Sequence, residues 1–269
     1  MSFETVEFNV QHGVARVVLN RPECLNSLNQ IMLVELSEIA DQCARDDAIK
    51  AVLLTGKGRA FCAGADLTVM NTDASESARR AQGRLVQQQM EQYFNPVISK
   101  LANLEKPVIN AINGIAAGGG VGLALVGDII LAAESASFKQ VFIPQLGIIP
   151  DLGSTWLVPK SVGRAKAMGM ALLGESISAH QADQWGMIWK VLPDDQLVTQ
   201  AEAMAQRLAK GPGLGMACLK QTMRAFDNNS LDQQLALEAR VQLECCSSED
   251  FLEGCLAFQE KRQPLFKGR

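Results

Sequence analysis

An α/β core followed by a helical C-terminal region is the fold class this sequence predicts, and three observations carry it. Short apolar runs alternate with stretches of helical periodicity, glycine-rich loops stand where the two meet, and from about residue 195 the strand-like runs cease. With 269 residues, 48% of them hydrophobic, the chain can bury a sizeable core as one large domain or as a main domain with an appendage.

The elements follow in order. FETVEFNV, a turn at Gln11-His12-Gly13 and VARVVLN alternate as a hairpin that ends at Arg21-Pro22. LNQIMLVELSEIADQCARD spaces Ile31, Val34, Leu36 and Ile39 for the buried face of a helix, and AVLLTG reads as a short strand. Beyond the loop KGRAFCAGADL, a glutamine-rich stretch offers Leu85, Tyr93, Val97, Leu101 and Leu104 to one helical face, as a partly exposed helix covering the core would. PVINAIN (107–113) reads as a buried strand, GGVGLALVG as a helix beginning among glycines, and DIILAAE as another strand. QLVTQAEAMAQRLAK, the break GPGLG, MACLKQTMRAF, LDQQLALEARVQLECC and EDFLEGCLAFQEKR are all helical in pattern. The division expected is therefore an α/β core over 1–195 and a helical region over 196–269. No low-complexity linker separates them, so the helices pack on the core or on a neighbouring subunit.

Charge excludes some functions. A net charge of −4 with 20% charged residues argues against nucleic acid or a membrane surface as partner. The densest basic pairs, Arg79-Arg80 and Lys261-Arg262, read as solvated faces. No apolar run approaches the roughly 20 residues of a membrane helix, and MSFETVEFNV lacks the pattern of a secretion signal, so a cytoplasmic protein is expected. Seven cysteines without a C-x-x-C pair fit reduced thiols. The two histidines, His12 and His180, stand beside no nucleophile or metal-ligand set, which weakens a Ser-His-Asp hydrolase or a zinc site.

NGIAAGGGVG, residues 113–122, places five glycines in ten positions. Glycine inside an element costs roughly 0.5–1 kcal/mol relative to alanine, so such a run needs a compensating role. Strand, glycine loop and helix start form a geometry that can receive an anion or a developing negative charge on unpaired N–H groups. Close packing of strand against helix is the other reading. The spacing GVGLAL does not complete a dinucleotide fingerprint, and no phosphate-binding G-x-x-x-x-G-K-[ST] occurs. A second small-residue loop, AFCAGADL (60–67), follows AVLLTG, with Asp66 placed to cap a following helix. Two such loops could offer two N–H donors to one oxygen, which is what an oxyanion hole requires.

The ordered set LNRPECLNSLN, GKGRAFCAGADL, KPVINAINGIAAGGGVGLALVGDIILAAESASF, LGIIPDLGSTWLVPKSVGRAKAM and FQEKRQPLFKGR resembles the crotonase, or enoyl-CoA hydratase/isomerase, superfamily from about residue 5 onward. IIPDLGSTWLVP and ISAHQADQWGMIWKV resemble its ring-enoyl, or epoxyphenylacetyl-CoA, isomerase branch most. The resemblance implies a spiral of ββα repeats with a C-terminal helical trimerisation region. It implies an acyl-CoA thioester as substrate with no separate cofactor, and a homotrimer or a hexamer of two trimers. It further implies that the N–H groups of Ala65 and Gly119 form the oxyanion hole, that the Ala63 carbonyl meets the adenine amino group, and that Cys24 and Leu25 line the CoA entrance. Gly64, Asp66, Leu67, Gly118 and Gly120 belong to the same two loops, and Phe258 and Lys261 in FQEKR would reach a bound CoA.

One departure matters. Hydratases of this family carry two glutamates at places that here hold Gly122 and Phe142, whereas the family's further acid position holds Asp151, in IIPDLG. A loop aspartate would ordinarily be a helix cap; the resemblance makes Asp151 the acid/base. The implied activity is movement of a double bond beside a thioester. The alternatives are a hydratase using Asp151 with a further group, or a non-catalytic acyl-CoA-binding scaffold.

Overall fold

A computed structural model describes residues 3–69, 73 and 75–268. Strands β1 (Val6–Gln11) and β2 (Val14–Leu19) form the expected hairpin, with Val6 opposite Leu19 and Gln11 opposite Val14. His12 (φ 51°) and Gly13 (φ 80°) supply the two positive φ values of a tight turn. Helix α1 (Gln30–Arg45) begins where the Asn29 side chain accepts a hydrogen bond from the Met32 N–H. It buries Met32, Leu33, Leu36, Ile39, Ala40 and Cys43. Ile31 and Val34, expected on that face, are exposed instead. IMLV is apolar at four successive positions, so spacing alone could not choose which pair turns inward. Strands β3 (Ala51–Gly56) and β4 (Ala60–Cys62) follow.

The single helical face expected from Leu85 to Leu104 is interrupted. Helix α2 (Glu76–Gln89) has no buried residue, a π-helical turn runs from Met90 to Phe94, and helix α3 (Asn95–Asn103) buries Val97 and Leu101. The wider turn shifts the helical register, so Val97, Leu101 and Leu104 reach the core while Leu85 is exposed.

Strand β5 (Val108–Ile112) leads to β6 (Ile115–Ala117) and helix α4 (Gly119–Leu125); β7 (Ile129–Ala133) leads to β8 (Ser137–Lys139) and helix α5 (Ser154–Leu173). Then come β9 (Ser176–Ser178), helix α6 (Ala179–Gln184) and β10 (Lys190–Leu192). The larger sheet runs β1-β2-β3-β5-β7-β10 and is parallel beyond the hairpin; the smaller runs β4-β6-β8-β9. The pairs β3–β4, β5–β6 and β7–β8 each give one strand to either sheet, which winds the chain as a spiral. β5 is buried at every position, as a central parallel strand covered on both faces must be. The sequence pattern missed the smaller sheet because three-residue strands are too short to display alternation.

Beyond residue 196 lie helices α7 (Leu197–Ala209), α8 (Gly213–Ala225), α9 (Leu231–Cys246) and α10 (Glu249–Glu260). α7 packs on β2, β3, β5 and β7, burying Leu197, Ala201 and Ala205, while α9 buries nothing. The tail returns onto α10, where Asp250 accepts from the Lys267 and Gly268 N–H groups at 2.6 and 2.8 Å. Among the described residues no helix is long and apolar enough to cross a membrane.

Candidate active site

Three stretches distant in sequence converge at the start of α4. In the first, Leu25 and Asn26 both adopt φ 56°, a left-handed pair that folds the segment tightly. Asn26 is fully buried: its Oδ1 accepts from the Arg21 N–H at 2.9 Å, and its Nδ2 donates to the Lys57 and Ala60 carbonyls at 3.0 and 2.9 Å. The segment pairs with the second stretch. Ala63 N–H donates to the Leu25 carbonyl at 3.0 Å, Leu28 N–H to that of Gly64 at 2.8 Å, and Asp66 N–H to that of Leu28 at 3.0 Å. These bonds use the N–H groups around Ala65 and leave its own without a partner among the described residues.

Asp66 braces this arrangement. Arg21 Nη1 and Nη2 both donate to Asp66 Oδ2 at 3.1 Å, and Arg21 Nη1 also reaches the Ser27 carbonyl at 2.6 Å. Asp66 Oδ1 accepts from the Thr68 hydroxyl at 2.6 Å and from its N–H at 3.2 Å, capping the 3-10 turn Leu67–Val69. The Thr68 hydroxyl, then its N–H and Arg21, hold the Asp66 carboxyl below its ordinary value against the effect of burial. Cys24 is half-buried and Leu67 exposed at the rim of these loops. Burial pushes the Cys62 thiol up to about 12, so the cysteine inside AFCAGADL is no nucleophile.

The third stretch is the glycine run. Gly118 adopts φ 53°, ψ −129°, a backbone region open to glycine alone, and its N–H donates to the Lys139 carbonyl at 2.9 Å. Gly119 opens α4, so its N–H has no intrahelical acceptor. The two loops touch: a Cβ on Gly64 (φ 95°) would stand 2.9 Å from the Ala117 carbonyl and 3.0 Å from the Gly119 nitrogen. A Cβ on Gly120 would meet the Cys62 carbonyl at 2.1 Å. The bare backbone thus has a packing reason at Gly120 and lets the loop before Ala65 lie against the Gly119 nitrogen.

Asp151 stands over this helix start. A Cβ on Gly119 would lie 3.0 Å from Asp151 Oδ1, an oxygen that is buried and has no partner. Burial pushes its carboxyl up to about 6, opposed by a weaker hydrogen bond from its own backbone. Its carbonyl accepts from the Ser154 N–H at 2.9 Å, and Leu152 takes φ 47° to make the turn into α5. Asp151 does not cap α5, which has no side-chain cap. Gly122 is bare because the Leu152 carbonyl passes 2.0 Å from where its Cβ would be. A side chain there has no room, so Gly122, a candidate for substrate contact, packs against the Asp151 loop instead. Phe142 is buried, its ring edge 3.8 Å from a Cβ on Gly118.

Phe258 and Lys261 do not join this cluster within one chain. Phe258 is 86% exposed at the end of α10, beside a pocket of about 400 Å³ that shares no residue with the Ala65, Gly119 and Asp151 loops. Lys261 is exposed in a left-handed cap. Sequence reasoning assigns no role to Arg21 and Asn26, although both lie in LNRPECLNSLN; only their three-dimensional partners reveal that they brace the loops.

An N–H at a helix start, a second unpartnered N–H in the adjoining loop and a nearby carboxyl group of raised pKa are groups that can bind a carbonyl oxygen, stabilise it as an enolate and carry a proton to or from the adjacent carbon. Comparison with known proteins shows the family. Residues 9–269 match the family model described as enoyl-CoA hydratase/isomerase. The chain is 47% identical over 266 residues, 99% of each protein, to the 1,2-epoxyphenylacetyl-CoA isomerase of Escherichia coli (strain K12). It is 42% identical over the full length of both proteins to one named probable enoyl-CoA hydratase in Rhodobacter capsulatus. The crystal structure of enoyl-CoA hydratase from Bacillus anthracis superposes with a TM-score of 0.88 at 32% identity, over 99% of this chain and 100% of that one. The chain belongs to the enoyl-CoA hydratase/isomerase family, within the crotonase superfamily, and is an enzyme of that family.

Proposed function

We propose that the protein is an enoyl-CoA isomerase, shifting a double bond beside an acyl-CoA thioester through an enolate extended to a dienolate. The observation that carries this reading is one buried acid without a hydrogen-bond partner among the described residues: Asp151 Oδ1 faces Gly119, while the two hydratase glutamate places hold Gly122 and Phe142. Isomerisation needs one group that removes a proton at one carbon and returns it at another. Hydration must also position and activate water. In this reading the thioester oxygen accepts from the Ala65 and Gly119 N–H groups, and Asp151 takes the proton from the substrate and redelivers it two carbons along. CoA would enter past Cys24, Leu25, Gly64 and Leu67, with the Ala63 carbonyl at the adenine amino group. The isomerase name of the E. coli relative supports a ring substrate and a place in phenylacetate catabolism; the hydratase name of the R. capsulatus relative favours hydration as the second reading.

We propose also a homotrimer, or a hexamer of two trimers, in which residues 196–269 form much of the contact and Phe258 and Lys261 of one subunit approach the CoA of another. Leu231, Leu243 and Phe258, each at least 71% exposed in the single chain, support that arrangement. The deciding experiment is a panel of linear and cyclic enoyl-CoA esters assayed in parallel for double-bond migration and hydration. Faster migration than hydration supports the isomerase, the reverse supports the hydratase, and silence on every ester supports a scaffold.

A further inference from the structure

Asn110, in the middle of β5, is fully buried and polar in a strand otherwise made of Val108, Ile109, Ala111 and Ile112. Its Nδ2 donates to the carbonyls of Leu123 and Ala124, at 2.9 Å each, close to the end of α4. Two carbonyls beside one atom identify it as the amide nitrogen, since only a donor can meet two acceptors. Its Oδ1 is buried without a partner among the described residues. The turn that follows α4 is shaped around this amide: a Cβ on Gly127 would lie 2.8 Å from Asn110 Cγ and 3.0 Å from its Nδ2.

The sequence of α4 is GGVGLAL, without one polar side chain, so this helix can be tied down only through its backbone. Its two ends differ. Gly118 offers no side-chain cap, and the Gly119 N–H must stay free if it is to meet a substrate. The carbonyls of the last turn have no intrahelical partner, and Asn110 supplies two of them. Along its flanks the helix makes close contacts, Gly120 against the Cys62 carbonyl and Gly122 against the Leu152 carbonyl. Those contacts resist sideways movement, whereas directional bonds at the end resist travel along the axis. An apolar residue of similar size would fill the same space without burying an unpaired acceptor, so the two donated bonds are what asparagine adds. We propose that Asn110 is a positioning residue: by holding the last turn of α4 it sets where the Gly119 N–H stands relative to the thioester oxygen. The inference rests on the proposed enolate mechanism and names a residue that acts through Gly119 without touching the substrate.

The test uses Asn110→Leu, which removes both donated bonds at similar volume, and Gly127→Ala, which keeps the amide and presses it off its acceptors. Val17→Ala, a core truncation in β2, which β3 separates from β5, controls for loss of stability. Each protein is read by the infrared carbonyl stretch of bound butyryl-CoA, a saturated and unreactive ester isotopically labelled at its thioester carbonyl carbon, and by steady-state kinetics with 3-enoyl-CoA. Wild type should lower the stretch below its value in free butyryl-CoA, since donated hydrogen bonds weaken the C=O bond. Asn110→Leu and Gly127→Ala should bring it more than halfway back. They should also lower kcat about tenfold, less than outright loss of an oxyanion donor costs, with KM within about threefold of wild type. Val17→Ala should leave the stretch and kcat unchanged. A wild-type stretch and kcat in whichever variant folds, an equal change in Val17→Ala, or failure of both variants to fold would overturn the proposal and leave the enolate mechanism standing. An unshifted stretch in wild type would overturn that mechanism and the proposal with it.

Discussion

Asp151 Oδ1 lies 3.0 Å from the point a Cβ on Gly119 would occupy, so the acid and the first N–H of α4 open onto the same small volume. In the proposed mechanism, that proximity lets the acid and the two N–H donors act on one substrate.

Asp151→Asn should keep the fold and CoA binding and lose at least ~10²-fold in isomerisation, the low end for a positioned general acid/base. Rates of double-bond migration with 3-enoyl-CoA, with circular dichroism as the control for folding, check this. Efficient turnover surviving in the variant would move the proton transfer to another residue.

Two pH dependences follow from burial of the same carboxyl. In the free enzyme kcat/KM should rise with pH through about 6, and the step should vanish in Asp151→Asn. Stability runs the other way. A carboxyl raised from 3.8 to about 6 binds its proton more tightly when folded, so its contribution is complete below about pH 4 and is lost as pH climbs through about 6. The loss is at most roughly 3 kcal/mol. Asp151→Asn should therefore raise the melting temperature at about pH 7.5, with the difference shrinking toward about pH 4. An equal difference at both would contradict the linkage.

Gly64→Ala should separate the two donor loops. The new methyl would press on the Ala117 carbonyl and the Gly119 nitrogen at a backbone φ of 95°, costing roughly 2–4 kcal/mol of stability. Activity of the folded variant should fall ~10²-fold or more through misplacement of an oxyanion donor. Alanine at 119 would bring its Cβ to 2.1 Å from Leu152 Cδ1, so that side chain would have to move. Near-normal kcat in folded Gly64→Ala would remove the paired donors from the mechanism.

Arg21→Met leaves Asp66 with Thr68 alone and frees the Ser27 carbonyl. Because Arg21 touches the loops at the proposed CoA entrance, KM for the acyl-CoA should rise about tenfold while kcat changes less. Steady-state kinetics decide it, and a loss confined to kcat would assign Arg21 elsewhere.

Light scattering at micromolar concentration should give a mass three or six times the 29.1 kDa chain. A mass of one chain would leave the exposed apolar side chains of α9 and α10 unaccounted for and would exclude delivery of Phe258 and Lys261 by a neighbour.

By itself the sequence determined what depends on near neighbours in the chain. The hairpin, α1, β3, β5, α4 and β7 were all legible, because alternation and helical spacing act within a few residues. Its ordered loops also carried the family resemblance, and through it the candidacy of Ala65, Gly119 and Asp151. Tertiary structure alone decided the rest. Whether Ile31 or Met32 turns inward depends on what packs against α1, and a three-residue strand such as β6 exists only by virtue of its partners β4 and β8. Arg21 meets Asp66 across 45 positions, and Gly122 is bare because the Leu152 backbone passes beside it. Burial left Gln140 and Ser154 without hydrogen-bond partners among the described residues, since what surrounds a side chain is set by the fold and not by its sequence neighbours.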